Sequence, residues 1–389
     1  MPRVNFAGLD LANPVIVASA TPSIDAEAIR KCEAGGAGAV VTKSVIFGDA
    51  NGRPAGNHAK PRFQLFNTVN GYDPLLTKKN GQFSFFRFQE PYPTPEKMAH
   101  ILDELKSGPN KVNIPIIVSI CGFTGDYESW RKLARLMEDA GADALEINGH
   151  QWNPVVKVTD PVIATVVKNE VKNIPVIYKL MGATEDSADV GKKVQLAGAD
   201  AVTGLGTFGF RSMEIDIENQ RPWMEMAHGL GGTWLRPISL AFVAKLAQAV
   251  DIPISGVSGI QSWEDAVKYI LLGATTVQVC AAIYAKGYKV LGEIAEGIDK
   301  YMADHNYTSI EDFRGAALKN IATSRPNDLP IRAFVNEDKC IGCQLCKDCC
   351  MFDALTIEGN KAHISDKCDG CGVCWSLCPH RAIEFRNFE

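Results

Sequence analysis

Eight cysteines between Cys340 and Cys378 fall into two runs of one spacing: Cys340-x2-Cys343-x2-Cys346-x3-Cys350, and Cys368-x2-Cys371-x2-Cys374-x3-Cys378 with Pro379 behind it. Three thiolates at three-residue intervals curl round one iron–sulfur cube, and the fourth of each run crosses to the other cube. On that rule Cys340, Cys343, Cys346 and Cys378 hold one 4Fe–4S cluster, and Cys368, Cys371, Cys374 and Cys350 hold the second. A disulfide framework or a pair of zinc knuckles would have to explain eight cysteines duplicated at one spacing within 39 residues, and neither does. Two positions depart from the pattern: Cys349 stands beside Cys350, and Met351 takes the place that Pro379 holds in the second run. Cys349 reads as a buried bystander, with an exchange of roles with Cys350 left open.

Short alternating segments flank the runs at Thr356–Glu358, Ala362–Ser365 and Ala382–Phe385, as a small α+β, ferredoxin-like module needs. Such a tail moves electrons singly, so the rest of the chain must supply their destination. Nine of the 12 cysteines lie in the last 50 residues, which makes thiols cluster ligands rather than staples and implies a reducing, cytoplasmic compartment. No basic-then-apolar leader opens the chain and no apolar run reaches the length of a membrane span. The formal charge is −5, and the tail from Glu337 carries nine acids against six bases. With no Lys/Arg stripe, nucleic acid is excluded as a partner; the mild acidity suits either a basic patch on a redox partner or plain solvated surface.

From residue 12 to about 305, β-branched apolar runs alternate with helical patterns, the signature of βα units around a parallel sheet. Candidate strands are Pro14–Ala20, Ala39–Lys43, Ile114–Cys121, Ala144–Asn148, Pro175–Met181, Ala201–Gly204, Pro253–Val257 and Thr276–Cys280. Apolar spacing at three and four residues predicts helices over Asp25–Ala34, Glu128–Ala140, Leu240–Val250, Trp263–Leu272 and Val290–His305. Eight such units predict a (β/α)8 TIM barrel with its chemistry on the loops at the strand C-termini. A doubly wound open sheet is the alternative, but no Gly-x-Gly-x-x-Gly follows the first strand. The expected division is a barrel over 1–306, a connector over 307–334 and the two-cluster module over 335–389.

Two connections, Ser44–Pro95 and Leu205–Thr233, are too long for plain turns and leave from the active end of the expected barrel. The first carries Arg53, Arg62 and the run FSFFRF, which is either a hydrophobic cluster pinning the loop or a lining for a flat substrate. Gly231-Gly232-Thr233 before the sixth helix, Val257-Ser258-Gly259 after the seventh strand and Cys280-Ala281-Ala282 after the eighth put small residues where barrels place a phosphate. Lys43 and Lys179 end otherwise apolar strands. Burying a lysine is costly unless it meets an anion or a polar ring edge. Either it joins a salt bridge, or it is the cation that stabilises an anionic reduced flavin.

The segments NPVIVASA, VVTKS, GADALEIN, IPVIYKL, GADAVT, GGTWLRP, GVSGI and VQVCAAI resemble the class 1 dihydroorotate dehydrogenase family. With its fused two-cluster tail, the chain is most similar to the dihydropyrimidine dehydrogenase branch. The resemblance covers nearly the whole chain. It implies an FMN-binding barrel, two 4Fe–4S clusters that exchange electrons with the flavin, and hydride exchange with an activated C=C bond. Carried over by position, it implies flavin contacts at Ala18, Ser19, Lys43, Asn148, Lys179, Gly232, Thr233, Ser258, Gly259, Cys280 and Ala281.

The substrate side departs from that family. Where its motif places an acid/base cysteine, this chain reads Asn148-Gly149-His150-Gln151-Trp152-Asn153-Pro154, with Gln151 at the cysteine's place. Glutamine cannot titrate near neutral pH, so His150 is the candidate proton donor, against a purely structural role in the loop. Gly206 and Arg87 stand where the family has asparagines that face a pyrimidine. The expectation is therefore an FMN-dependent oxidoreductase that reduces or forms a conjugated C=C bond in a small molecule, with Asn148, His150 and Lys179 at its centre. Alternatives are a dihydropyrimidine dehydrogenase catalytic subunit with a relocated acid, or an electron-transfer subunit of a larger complex. Without a nicotinamide or FAD module, the chain should need a separate NAD(P)H/FAD reductase subunit or a ferredoxin, in a homo- or hetero-oligomer.

Overall fold

The computed structural model describes residues 3–48, 63–66, 83–86, 92–107, 109–123, 125–149, 159–180, 186–206, 211–213, 215–222, 228–321 and 331–387. They form two compact units, 1–319 and 320–389. In the first, eight parallel strands close into a barrel: β1 (Val15–Val17), β2 (Ala39–Val41), β3 (Ile116–Ile120), β4 (Ala144–Asn148), β5 (Val176–Lys179), β6 (Ala201–Gly204), β7 (Ile254–Val257) and β8 (Thr276–Val279). The ring runs β1 to β8 in sequence and closes through Val277 beside Val15. All eight expected strands are present, and the open-sheet alternative falls.

The longer helices of this unit are α1 (Ala26–Ala34), α2 (Pro95–Ser107), α3 (Tyr127–Asp139), α4 (Val162–Glu170), α5 (Ser187–Leu196), α6 (Arg236–Ala247), α7 (Trp263–Leu271) and α8 (Val290–Asp304), and a short one covers Ala281–Lys286. A repeated lead-in joins helix to strand. Gly36, Gly141, Gly198 and Gly273 take φ of +94°, +92°, +98° and +99° after their helices, a region glycine enters without strain. In two of these lead-ins an aspartate then pins the neighbouring strand. Asp143 accepts from Ile116 N (2.7 Å) and Lys106 Nζ (2.7 Å), and Asp200 accepts from Val176 N (2.8 Å) and Lys168 Nζ (2.5 Å). These contacts sit at the N-terminal end of the barrel, where they serve stability.

Asp25, Asp126 and Asp186 cap the first turns of α1, α3 and α5. Asp126 accepts from Glu128 N (3.1 Å) and Ser129 N (3.3 Å), satisfying donors that α3 cannot. Asp126→Ala should cost about 1 kcal/mol. A thermal scan should show a drop of a few degrees, with activity unchanged.

Parts of both long connections meet in one antiparallel sheet. Phe63–Phe66, Phe83–Phe86, His228–Gly232 and Arg211–Ser212 pair in that spatial order. The FSFFRF run is thus in part a strand, with Phe83 opposite Gly232. After α8, Ile310 and Phe313 are buried in the barrel core, and Gly315 N donates to Ile270 O (2.9 Å). Among the described residues no helix is long and apolar enough to cross a membrane.

The second unit pairs Ile331–Val335 with Ile383–Asn387 and Leu355–Glu358 with Lys361–Ile364, around two short helices, Leu345–Asp348 and Val373–Leu377. Of the stretch read as a connector, residues 307–319 belong to the first unit and 331–334 to the second. The buried core here is Ala333, Cys346, Leu355, Ala362, Cys374 and Ile383. So small a core seldom holds a domain unaided, and metal clusters are the usual staple.

Candidate active site and cluster sites

Side chains that point into a strand-built barrel alternate along each strand, so Glu146 and Asn148 of β4 share the inner face one layer apart. Glu146 is fully buried, as are Thr203 on β6 and, nearly so, Gln278 on β8 and Lys179 on β5. Their polar atoms meet across the interior. Lys179 Nζ lies 3.3 Å from Glu146 Oε1 and 3.5 Å from Gln278 Oε1. Thr203 Oγ1 donates to Glu146 Oε2 (3.0 Å), and so does Gln278 Nε2 (2.8 Å), which also lies 3.1 Å from Thr203 Oγ1. Since β4 and β8 are opposite strands of the ring, the Gln278–Glu146 bond crosses the barrel.

One layer nearer the strand C-termini is a second set of donors. Asn148 Nδ2 donates to Ser44 Oγ (2.9 Å), which also contacts Ser119 Oγ (2.9 Å) and Ser19 Oγ (3.3 Å). This joins the ends of β1, β2, β3 and β4 and links Ser19 to Asn148 through the Ser44 hydroxyl. Lys43 extends from the end of β2 with Nζ 4.6 Å above the Tyr92 ring. Ala18 N donates to Val279 O (2.9 Å), placing β1 against β8 next to Cys280 and Ala281.

On the far side, Ser258 takes a φ of +92°, a region that glycine enters freely and a serine enters only under strain. Its hydroxyl offsets part of that strain by donating to Leu205 O (2.8 Å). Gly259 (φ +76°) packs so tightly that a Cβ would come within 2.7 Å of Arg236 Cβ, at the start of α6. Arg236 in turn pairs with buried Asp265 in the first turn of α7 (2.8 Å), tying the starts of α6 and α7 together. Gly232 (φ +103°) turns the chain from the antiparallel sheet into the Thr233–Leu235 turn that leads into α6. Burial pushes the Cys32 and Cys121 thiols up to about 12, with Cys280 nearby adding to the shift at Cys32, so neither supplies a thiolate.

Gly206, read from the resemblance as standing in an asparagine's place, is buried and donates to Leu180 O (2.9 Å). His150, Gln151, Arg53, Arg62 and Arg87 lie outside the described residues. Glu146, Thr203, Gln278, Ser44 and Ser119 are the residues that the sequence reading missed. A period-two reading was the available signal: Glu146 is two residues before Asn148, and Gln278 sits between Val277 and Val279, two residues after Thr276.

In the second unit, Cys340, Cys343, Cys346 and Cys378 line one cavity. Cys349, Cys350, Cys368, Cys371 and Cys374 line the other. The two runs repeat in backbone as well as sequence. Gly342 and Gln344 have φ of +69°, matched by Gly370 (+72°) and Gly372 (+89°). Glycine is required at the first of each pair: a Cβ on Gly342 would lie 2.5 Å from Asn360 O, and one on Gly370 2.2 Å from Ile331 O.

The fourth positions match too. Asp353 (φ +49°) and Arg381 (φ +48°) each stand three residues on, and Ala354 N donates to Cys350 Sγ (3.4 Å) as Ala382 N does to Cys378 Sγ (3.2 Å). Four thiols round one cavity and five round the other offer the donor chemistry of a 4Fe–4S cluster, which takes four. In the barrel, a buried ammonium with amide and hydroxyl donors at the strand ends suits the polar edge of a flavin.

The sequence pattern of dihydroorotate dehydrogenase matches residues 1–302, and that of a 4Fe-4S dicluster domain matches residues 333–385. The catalytic subunit of dihydroorotate dehydrogenase B (NAD(+)) from Pyrococcus abyssi is 32% identical over 327 residues, covering 82% of this chain and 100% of that protein. Its namesake from Methanosarcina acetivorans is 32% identical over 324 residues, covering 81% and 95%. The NAD-dependent dihydropyrimidine dehydrogenase subunit PreA of Escherichia coli K12 is 28% identical over 370 residues, covering 89% and 84%.

Barrel and dicluster unit together define an iron–sulfur flavoprotein oxidoreductase acting on CH–CH groups, with FMN and two 4Fe–4S clusters as cofactors. The chain belongs to the dihydroorotate dehydrogenase family. It reduces or forms a conjugated C=C bond of a small molecule, with electrons passing through the clusters.

Proposed function

We propose that FMN is held at the C-terminal ends of the barrel strands by Ala18, Ser19, Lys43, Asn148, Lys179, Gly232, Thr233, Ser258, Gly259, Cys280 and Ala281, and that the substrate is a conjugated small molecule other than a standard pyrimidine. The flavin supplies hydride exchange with the C=C bond. Lys179, which carries this reading, ends β5 as a buried cation beside the Asn148 hydroxyl cluster and is suited to the electron-rich edge of a reduced flavin. Asn148 orients flavin or substrate, and His150 hands over the proton that accompanies the hydride.

Three places support a changed substrate: Gln151 cannot titrate, Gly206 offers no side chain, and Arg87 replaces an amide by a cation. A site built to pair a substrate's polar groups rejects one that leaves them unpaired by orders of magnitude, and the argument runs both ways. The first cluster takes Cys340, Cys343, Cys346 and Cys378, and the second Cys368, Cys371, Cys374 and Cys350. Residues 1–306 are the flavin domain, 307–334 the connector and 335–389 the cluster domain. The donor is a separate NAD(P)H/FAD reductase subunit or a ferredoxin, in a cytoplasmic homo- or hetero-oligomer.

A second reading, a dihydropyrimidine dehydrogenase catalytic subunit with a relocated acid, is favoured by the relative whose alignment covers 89% of the chain. One anaerobic experiment separates the two. Protein reduced with dithionite is mixed with uracil, thymine, orotate and a panel of 2-enoyl compounds while the flavin absorbance is followed. Reoxidation by an enoyl compound but by none of the three pyrimidines is expected. Reoxidation by uracil or thymine favours the second reading, and a flavin that nothing reoxidises favours an electron-transfer subunit. With the active compound, His150→Asn should slow turnover and remove its dependence on pH near neutrality; an unchanged pH profile would reassign the proton donor.

A further inference from the structure

The interior of a barrel of this kind is ordinarily filled by branched aliphatic side chains. Here β4, β5, β6 and β8 each send a polar or charged group into it: Glu146, Lys179, Thr203 and Gln278. Stability gives no reason for that choice. Desolvating two charges roughly cancels their attraction, and replacing such a pair by packed apolar residues is often neutral or stabilising. What the arrangement does provide is a fixed place for one ammonium. Glu146 Oε2 is held by Thr203 Oγ1 at 3.0 Å and Gln278 Nε2 at 2.8 Å, leaving Oε1 to face Lys179 Nζ at 3.3 Å.

The Gln278 amide is oriented by the same contacts. Its nitrogen serves Glu146 and Thr203, so its oxygen faces Lys179 at 3.5 Å. Among the described residues, these two acceptors occupy two of the three Lys179 hydrogens, both at long distance. That leaves the third over, on a residue whose backbone pairs in register with Asn148.

We propose that Glu146 is a positioning residue of the flavin site: clamped by Thr203 and Gln278, its carboxylate fixes the Lys179 ammonium and offsets its charge, and so sets the reduction potential of the bound FMN. This rests on the reading above that Lys179 meets the flavin. A carboxylate within one contact of that cation weakens its pull on added electrons, so removing its charge favours the reduced flavin.

The test is the two-electron midpoint potential of the holoprotein, measured by dye-equilibrated reduction in parallel with FMN content. Glu146→Gln keeps the shape and removes the charge. It should move the oxidised-to-reduced equilibrium at least tenfold towards the reduced form, an upward shift of about 30 mV for a two-electron couple. Glu146→Asp keeps the charge but withdraws it from Lys179, and should shift the equilibrium the same way by at least threefold but less than Glu146→Gln. Lys179→Met tests the underlying reading and should move the potential downwards. If Lys179→Met lowers the potential while the Glu146 variants keep the wild-type value, the positioning role is wrong and the flavin placement stands. If Lys179→Met changes neither potential nor FMN affinity, the placement itself fails. Should Glu146→Gln yield no folded holoprotein, Glu146→Asp decides alone: an upward shift supports the role, and a wild-type potential overturns it even if stability falls.

Discussion

Lys179→Met should destabilise the barrel by about 3–5 kcal/mol, because it strands the Glu146 carboxylate inside the protein without its counter-ion. Solvent cannot soften the loss, since the two side chains are 10% and 0% exposed. Lys179→Met combined with Glu146→Gln should recover most of that stability: no unpaired charge remains, and the new amide can still accept from Thr203 or Gln278. Urea unfolding followed by circular dichroism should place the midpoint of the double variant between the single variant and the wild type, and nearer the wild type. Flavin binding should behave differently. Losing one charge-assisted hydrogen bond, about 1.5–3 kcal/mol, weakens FMN about 10- to 100-fold in both variants, because restoring the barrel does not restore the cation. If the double variant also regained FMN affinity, the lysine would be serving the fold alone.

The barrel was legible because its signals are local. Runs such as Val15-Ile16-Val17 and Ile116-Ile117-Val118 lead towards helices capped by Asp25 and Asp126, and glycine lead-ins such as Gly141 and Gly198 turn helix into strand at a conformation few other residues adopt. The cysteine spacing was legible for a similar reason, since each run of three spans little more than two turns of chain. The Lys179 network was not. Glu146 and Gln278 are 132 positions apart and meet only because the ring closes, and no spacing rule joins opposite strands of a barrel. Lys179 itself stood out as an expensive residue in an apolar strand, with an ion pair and a flavin contact as rival readings. The ion pair with Glu146 is present, and it leaves room for the flavin contact because the carboxylate holds the ammonium from below. Helix α6 begins at Arg236 rather than near Leu240, since Pro237 is well suited to a first turn, and the strand His228–Gly232 ahead of it carries no apolar alternation to read. Nor does sequence order reveal that the two long connections share a sheet, because that pairing depends on where the barrel carries their ends.

Cys350→Ala should abolish the second cluster, whereas Cys349→Ala should leave both intact. The two thiols are neighbours and line the same cavity, so spacing alone offered either as the ligand. The internal repeat separates them. Cys378 closes its run with a left-handed residue three positions on and an amide from four positions on directed at its sulfur, and Cys350 has both in Asp353 and Ala354. Cys349 instead donates its thiol to Cys346 O at 3.2 Å, and its counterpart in the second run is Leu377, which has no ligating atom. A ligand thiolate has no proton to donate, and amide bonds to its sulfur are among the means by which a protein tunes a cluster. Cys350 is arranged for ligation and Cys349 is not. Iron and sulfide analysis of anaerobically purified protein should show about half the wild-type content for Cys350→Ala and wild-type content for Cys349→Ala. Low-temperature electron paramagnetic resonance of the reduced protein should lose the broadening that two coupled clusters produce only in Cys350→Ala. Full iron in Cys350→Ala, lost when Cys349→Ala is added, would show that the neighbouring thiol can turn inward and take its place. Half the iron in Cys349→Ala alone would overturn the assignment drawn from the repeat.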